Sequence, residues 1–164
     1  EFEPETARAL EPRLGKAGEA NVRPALLWFA RAIKPRARTL RDGLKSAGFR
    51  LLDDATFASD PPAVEKGLLA NDRQGLTLLR TVHERLAKLN DAEFTPELVH
   101  PIIEQMAMQT PSADGKPAMG PVSQALRVAV TGTMVSPGMG ETLAVLGRSS
   151  VLARIERCLK VHSA

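Results

Sequence analysis

Tyrosine is absent from the 164 residues, and phenylalanine and tryptophan bring the aromatic share to only 4%. That is too few rings for an RNA platform built on stacked aromatic side chains. Cysteine occurs once, as Cys158, which excludes an internal disulfide and a cysteine-based zinc cluster and fits a reducing compartment. No apolar run approaches the roughly 20 residues of a membrane helix. The chain opens on Glu1, Glu3 and Glu5, not on a basic and then apolar leader. A cytoplasmic location away from membranes is therefore expected. Neither a GxxxxGK[ST] phosphate loop nor a GxGxxG fingerprint is present. His83, His100 and His162 lie 17 and 62 residues apart, with no paired-ligand spacing among them. No catalytic residue, metal site or cofactor is expected. His83 beside Glu84 reads as a surface or edge histidine, and Cys158 as a packed thiol with no histidine placed to activate it.

What is present is an ordinary globular composition, 43% hydrophobic and 25% charged, in a size that suits one domain or two small ones. The net charge of +3 hides an uneven distribution. Residues 23–50 carry eight bases and one acid, residues 51–120 carry eleven acids and six bases, and residues 121–164 carry five bases and two acids. Arginine outnumbers lysine 15 to 7. Its planar fork matches phosphate oxygens and base edges. Two basic zones flanking an acidic middle fit a polyanion partner or, equally, solvated helix faces in an arginine-rich protein.

Helical spacing dominates the pattern. Pro4 can open a short segment to about Leu14, and Asn21 can cap a helix carrying Val22, Leu26, Leu27, Phe29 and Ile33. Lys34-Pro35 breaks or kinks it, and Leu40, Leu44 and Ala47 continue the stripe to Gly48. Asp72 can cap a stronger helix with Leu76, Leu79, Val82, Leu86 and Leu89. Thr95-Pro96 reads as a cap and first helical position, with a kink at Pro101. Residues 110–123, with Pro111, Gly115, Pro117, Gly120 and Pro121, are the best linker and domain boundary. The β-branched run Leu126–Gly132 reads locally as a strand. Ser136-Pro137 reads as the cap and start of a helix stopped by Gly147, and Ser149 or Ser150 as the cap of a final one.

Two stretches resemble the C-terminal region of bacterial glutamyl-tRNA synthetases. Ile33–Asp42 is similar to the family's basic K-x-R-x-x-T-L helix. Gln124–Gly132, then Val135–Met139, Leu143, Leu146-Gly147-Arg148 and Val151–Ile155, resemble the pattern LRVALTG…(S/T)P…L..LG+…L.R(L/I). The resemblance implies an all-α fold of two small helical subdomains, of the anticodon-binding helical cage type, at 1–109 and 124–164. It also implies that Leu126–Gly132 is helical, against its local propensity. Arg127, Ser136, Pro137 and Met139 fall where family members contact the second and third anticodon bases. The family usually has leucine in place of Met139 and often threonine in place of Ser136. The resemblance puts Arg36 near the first anticodon base, with Arg38 and Arg41 as the alternatives because the alignment is looser there.

The implied function is binding of the anticodon arm of tRNA(Glu), with tRNA(Gln) left open, by a monomeric fragment of a class I glutamate–tRNA ligase. The HIGH-type and KMSKS-type signatures are missing, so ATP and magnesium belong to a catalytic half outside these residues. The competing class is a helical protein-interaction module whose basic zones are merely solvated.

Overall fold

The computed structural model describes residues 31, 34, 39, 48–51, 54, 57–110, 117 and 119–163. Two compact units are present, Glu1–Leu52 and Asp53–Ala164. The helices expected at 4–14, 21–33 and 37–47 fall almost wholly outside the described residues. In the first unit Gly48–Leu51 forms a 3-10 turn that buries Phe49.

Every regular element described in the second unit is helical, so the fold is all-α there. Asp60 lies in the extended region, and Pro61 and Pro62 occupy the first helical positions, where the missing N–H costs nothing. Helix α1 (Pro61–Val64) widens into a π-helical turn at Glu65–Leu69. Helix α2 (Ala70–Leu86) then starts at an elbow in which Asn71, Asp72 and Arg73 are left-handed, with φ of 51°, 55° and 61°. Asp72 is thus part of the elbow and not the expected cap. The chain folds back so tightly here that a Cβ on Gly75 would collide with the Gly67 carbonyl oxygen. Only glycine fits that approach.

Helix α2 buries Leu76, Leu79, Val82 and Leu86 of the expected stripe, while Leu89 falls past its end and is half-buried. Asn90 and Glu93 close the following turn by reciprocal side-chain-to-backbone bonds of 3.0 and 2.9 Å. Helix α3 (Pro96–Gln109) starts where expected, after Thr95, and continues through Pro101. Helix α4 (Met119–Thr131) covers the strand-like run. Helix α5 (Met139–Leu146) and helix α6 (Arg148–His162) meet at Gly147, whose φ is +80°.

The stretch 110–123 does not divide the chain as expected. It lies inside the second unit, because α3 and α4 on either side of it pack against each other. Residues from Met119 onward are already helical, since Pro121 sits in a first turn that lacks intrahelical N–H partners anyway.

Helix α4 is the centre of the unit. It packs against the π turn and α2, α3, α5 and α6. Val122, Ala125, Leu126, Val128, Ala129, Val130 and Thr131 are all buried. Its last two turns imitate a strand because Val128, Val130 and Thr131 are β-branched, and packing against five neighbouring elements overrides that local preference.

The C-terminal end of α4 is closed from three directions. Gly132 takes φ +76° and its N–H bonds the Val128 carbonyl at 3.1 Å. The Ser59 hydroxyl donates to the same carbonyl at 3.1 Å, and the Asp60 N–H donates to the Gly132 carbonyl at 2.8 Å. Arg154 of α6 donates from Nη1 to the Val130 carbonyl at 2.7 Å. These bonds satisfy carbonyls that a helix end leaves without partners. Arg154 is 1% exposed, pairs through Nε with Asp54, and lays its guanidinium 4.6 Å from the Phe57 ring centroid. A buried guanidinium is tolerable because its charge is paired and its donors are used.

Gly132→Ala should destabilise the fold. An alanine would be held at a left-handed φ, and its Cβ would meet the Ala58 carbonyl oxygen at 2.9 Å. The expected loss is about 1–3 kcal/mol, read as a lower urea midpoint with an unchanged m value. An unchanged midpoint would mean that this corner is not rigid.

Candidate functional site

The sequence-predicted residues on α4 and the following loop come together at one end of the unit. Arg127 lies on the half-buried face of α4 one turn before its end. Residues 132–138 reverse the chain and bring Ser136 back beside it. Arg127 Nε donates to Ser136 Oγ at 3.1 Å, and the Ser136 hydroxyl donates to the Pro137 carbonyl at 2.9 Å. The loop is laced by threonines. Thr131 Oγ1 donates to the Arg127 carbonyl at 2.9 Å and lies 3.3 Å from Thr133 Oγ1, which donates to the Val135 carbonyl at 2.8 Å.

Pro137 is buried and Met139 is 5% exposed. They form the floor under the loop, and present little of the apolar surface to a ligand that the sequence suggested. The open apolar group is Val135, 84% exposed. Ser136-Pro137 does not cap α5 either. Gly138 takes the cap position without a side-chain bond, because the Ser136 hydroxyl is turned toward Pro137 and Arg127. The Glu141 carboxylate lies over Gly138 in the first turn of α5. A carboxylate there complements the positive end of the helix. That charge repels an incoming phosphate more strongly than it does an uncharged group. Chemically, the arrangement offers a fixed cation, an exposed apolar knob and a turn of constrained backbone. No grouping of His, Cys, Asp or Glu among the described residues could hold a metal ion, and no described helix is long and apolar enough to cross a membrane.

The anticodon binding domain family matches residues 5–159, nearly the whole chain. The chain belongs to that family. Among curated relatives it is 34% identical over 153 residues to glutamate–tRNA ligase 1 of Sphingopyxis alaskensis, which covers 92% of this chain and 29% of the relative. It is 37% identical over 158 residues to glutamate–tRNA ligase 1 of Gluconobacter oxydans, covering 94% and 30%. This anticodon-binding domain thus spans about 30% of the length of the relatives it matches. Its fold is like that of a glutamate tRNA ligase from Elizabethkingia meningosepticum, with a TM-score of 0.73, 18% identity, and coverage of 98% of this chain and 29% of that one.

Of the residues the resemblance singled out in this anticodon-binding domain, Arg127 and Ser136 touch each other, and Pro137 and Met139 support the loop that carries Ser136. Arg36, Arg38 and Arg41 lie outside the described residues. Sequence reasoning missed Val135, Glu141 and Arg154. Arg154 had a visible signal: a cation flanked at i−3, i+1 and i+4 by Val151, Ile155 and Cys158, all buried. An arginine inside such a stripe must be paired. His83 is half-buried with Nε2 3.0 Å from Glu156 Oε1, which ties α2 to α6.

Cys158 is buried, and desolvation pushes its thiol up from 9.0 to about 11. The folded protein therefore keeps the proton between those values while the unfolded chain loses it. Stability is unaffected by this group below pH 9 and falls as pH rises from 9 toward 11. Cys158→Ala should remove that part of the alkaline loss, seen as a shallower decline of the urea midpoint above pH 9. Ionisation alone should also slow alkylation of the folded thiol at pH 8 by about 100-fold relative to free cysteine. Fast alkylation of the folded protein would place the thiol in water.

Proposed function

We propose that this domain is the anticodon-binding part of a glutamate–tRNA ligase. The relatives it matches over nine-tenths of its length carry that name. In this reading it holds the anticodon arm of tRNA(Glu), and the end of α4 with residues 132–138 meets the second and third anticodon bases. The observation that carries the reading is the Arg127–Ser136 pair at 3.1 Å, inside the longer of the two stretches that resemble the family.

The chemistry follows from how single-stranded bases are read. Anticodon bases are unstacked and expose their Watson–Crick edges. The guanidinium of Arg127 donates to a base carbonyl or ring nitrogen. Val135 gives an apolar surface against a base or ribose, and the buried Pro137 and Met139 keep the loop from yielding. Glu141 turns the start of α5 toward base edges and away from phosphates. Arg36, Arg38 and Arg41 are proposed near the first anticodon base and the backbone. Whether tRNA(Gln) is also accepted turns on that first base. Glutamate activation with ATP and magnesium belongs to a catalytic half outside these residues. The parent enzyme is placed in the cytoplasm, and the domain is a monomer in this reading.

The chain should bind tRNA(Glu) in electrophoretic titration more tightly than an unrelated tRNA. Arg127→Ala should cost the cognate tRNA about tenfold or more, since one hydrogen-bonded base contact is worth roughly 1–3 kcal/mol. A tRNA already altered at the second or third anticodon base should lose much less. Equal losses for both would reduce Arg127 to a phosphate contact, and binding to neither tRNA at low salt would refute the reading.

A further inference from the structure

We propose that Ser136 is a positioning residue: its hydroxyl fixes the Arg127 guanidinium and does not itself donate to a base. The inference rests on the anticodon-reading role proposed above and assigns its parts differently.

The argument begins with hydroxyl bookkeeping. A serine hydroxyl has one proton and two lone pairs. A guanidinium can only donate, so at the 3.1 Å contact with Arg127 Nε the Ser136 oxygen is the acceptor. Its single proton then goes to the Pro137 carbonyl at 2.9 Å. The hydroxyl therefore has no donor to offer a base carbonyl or a ring nitrogen. A group that reads bases by donating would have to break an existing bond first.

The second observation is that these contacts form a closed ring that begins and ends on Arg127. Its carbonyl accepts from Thr131 Oγ1 at 2.9 Å, Thr131 Oγ1 accepts from the Thr133 N–H at 3.4 Å, and Thr133 Oγ1 donates to the Val135 carbonyl at 2.8 Å. The next residue in the chain, Ser136, returns to Arg127 Nε. One residue is held at its backbone by the start of the loop and at its side chain by the end of it. Pro137 adds a fixed φ and a buried ring directly after Ser136. Nε is the root of the guanidinium plane, so a bond there sets the plane's orientation. A long side chain that would otherwise sample many rotamers is thereby held in one before RNA arrives, which lowers the ordering cost of binding.

The test is a double-mutant cycle on the whole chain. Affinities are measured for tRNA(Glu) and for tRNA(Glu) altered at each anticodon base in turn, using Arg127→Ala, Ser136→Ala and the double variant. Thermal midpoints are matched first, and Ser136→Cys, which keeps the size and weakens the acceptor, serves as a second variant if alanine disturbs the fold. Ser136→Ala should lower the preference for the cognate tRNA about fivefold, the scale of one net hydrogen bond. It should do so at the same anticodon base as Arg127→Ala. In the Arg127→Ala background it should change the preference no further, and Ser136→Thr should restore it. If Ser136→Ala acts at a different base, or keeps its full effect without Arg127, the serine reads directly and the positioning role is overturned. If the unaltered chain shows no preference for the cognate anticodon, the proposed function fails, and this inference with it.

Discussion

One buried cation holds the end of the helix on which the rest of the second unit depends. Arg154 reaches from α6 to the Val130 carbonyl at the end of α4, to the carboxylate of Asp54 and to the face of Phe57. Each of its partners solves a different problem. Asp54 balances the charge, the carbonyl would otherwise be an orphan of the helix end, and the ring fills the space above the guanidinium plane. Ser59, Asp60 and the left-handed Gly132 complete the closure. With the end of α4 closed in this way, the chain leaves it in one direction, and the loop that follows is built from a fixed corner. Removing Asp54 would leave the Arg154 guanidinium charged and buried without its counter-ion.

Much of the second unit was legible in the sequence, and the misreadings have physical causes. The stripe of α2 was readable because that helix has one buried and one wet face. The run Leu126–Thr131 reads locally as a strand because its β-branched residues carry that propensity; that a lone strand would have no partner in a helical chain, and the family resemblance, both pointed to the helix that packing against five neighbouring elements imposes. The left-handed elbow at Asn71–Arg73 left no mark beyond a permissive Asn-Asp, since its shape depends on the close approach of Gly75 to Gly67. The proline-rich stretch 110–123 looked like a boundary, yet composition reports only that a segment is not regular, not what the helices on either side of it touch. The resemblance singled out Arg127 and Ser136, but their mutual bond was not legible, because it depends on how a seven-residue loop returns.

The loop also separates two ways of meeting RNA. Basic zones attract a polyanion without regard to sequence. The end of α4 carries a single arginine beside an acidic first turn and an exposed valine, a poor site for phosphate and a reasonable one for the edge and face of a base. Attraction and reading are in this account tasks for different parts of the chain.

The most direct check on the claim that residues 132–138 face the anticodon is photo-crosslinking from the loop itself. Val135 is 84% exposed, so its replacement by p-benzoylphenylalanine leaves the packing intact. After irradiation with tRNA(Glu), crosslinked nucleotides are mapped by primer extension. The account predicts crosslinks confined to the anticodon loop and competed away by unlabelled tRNA(Glu). Crosslinks concentrated in the acceptor stem or the elbow of the tRNA would contradict it.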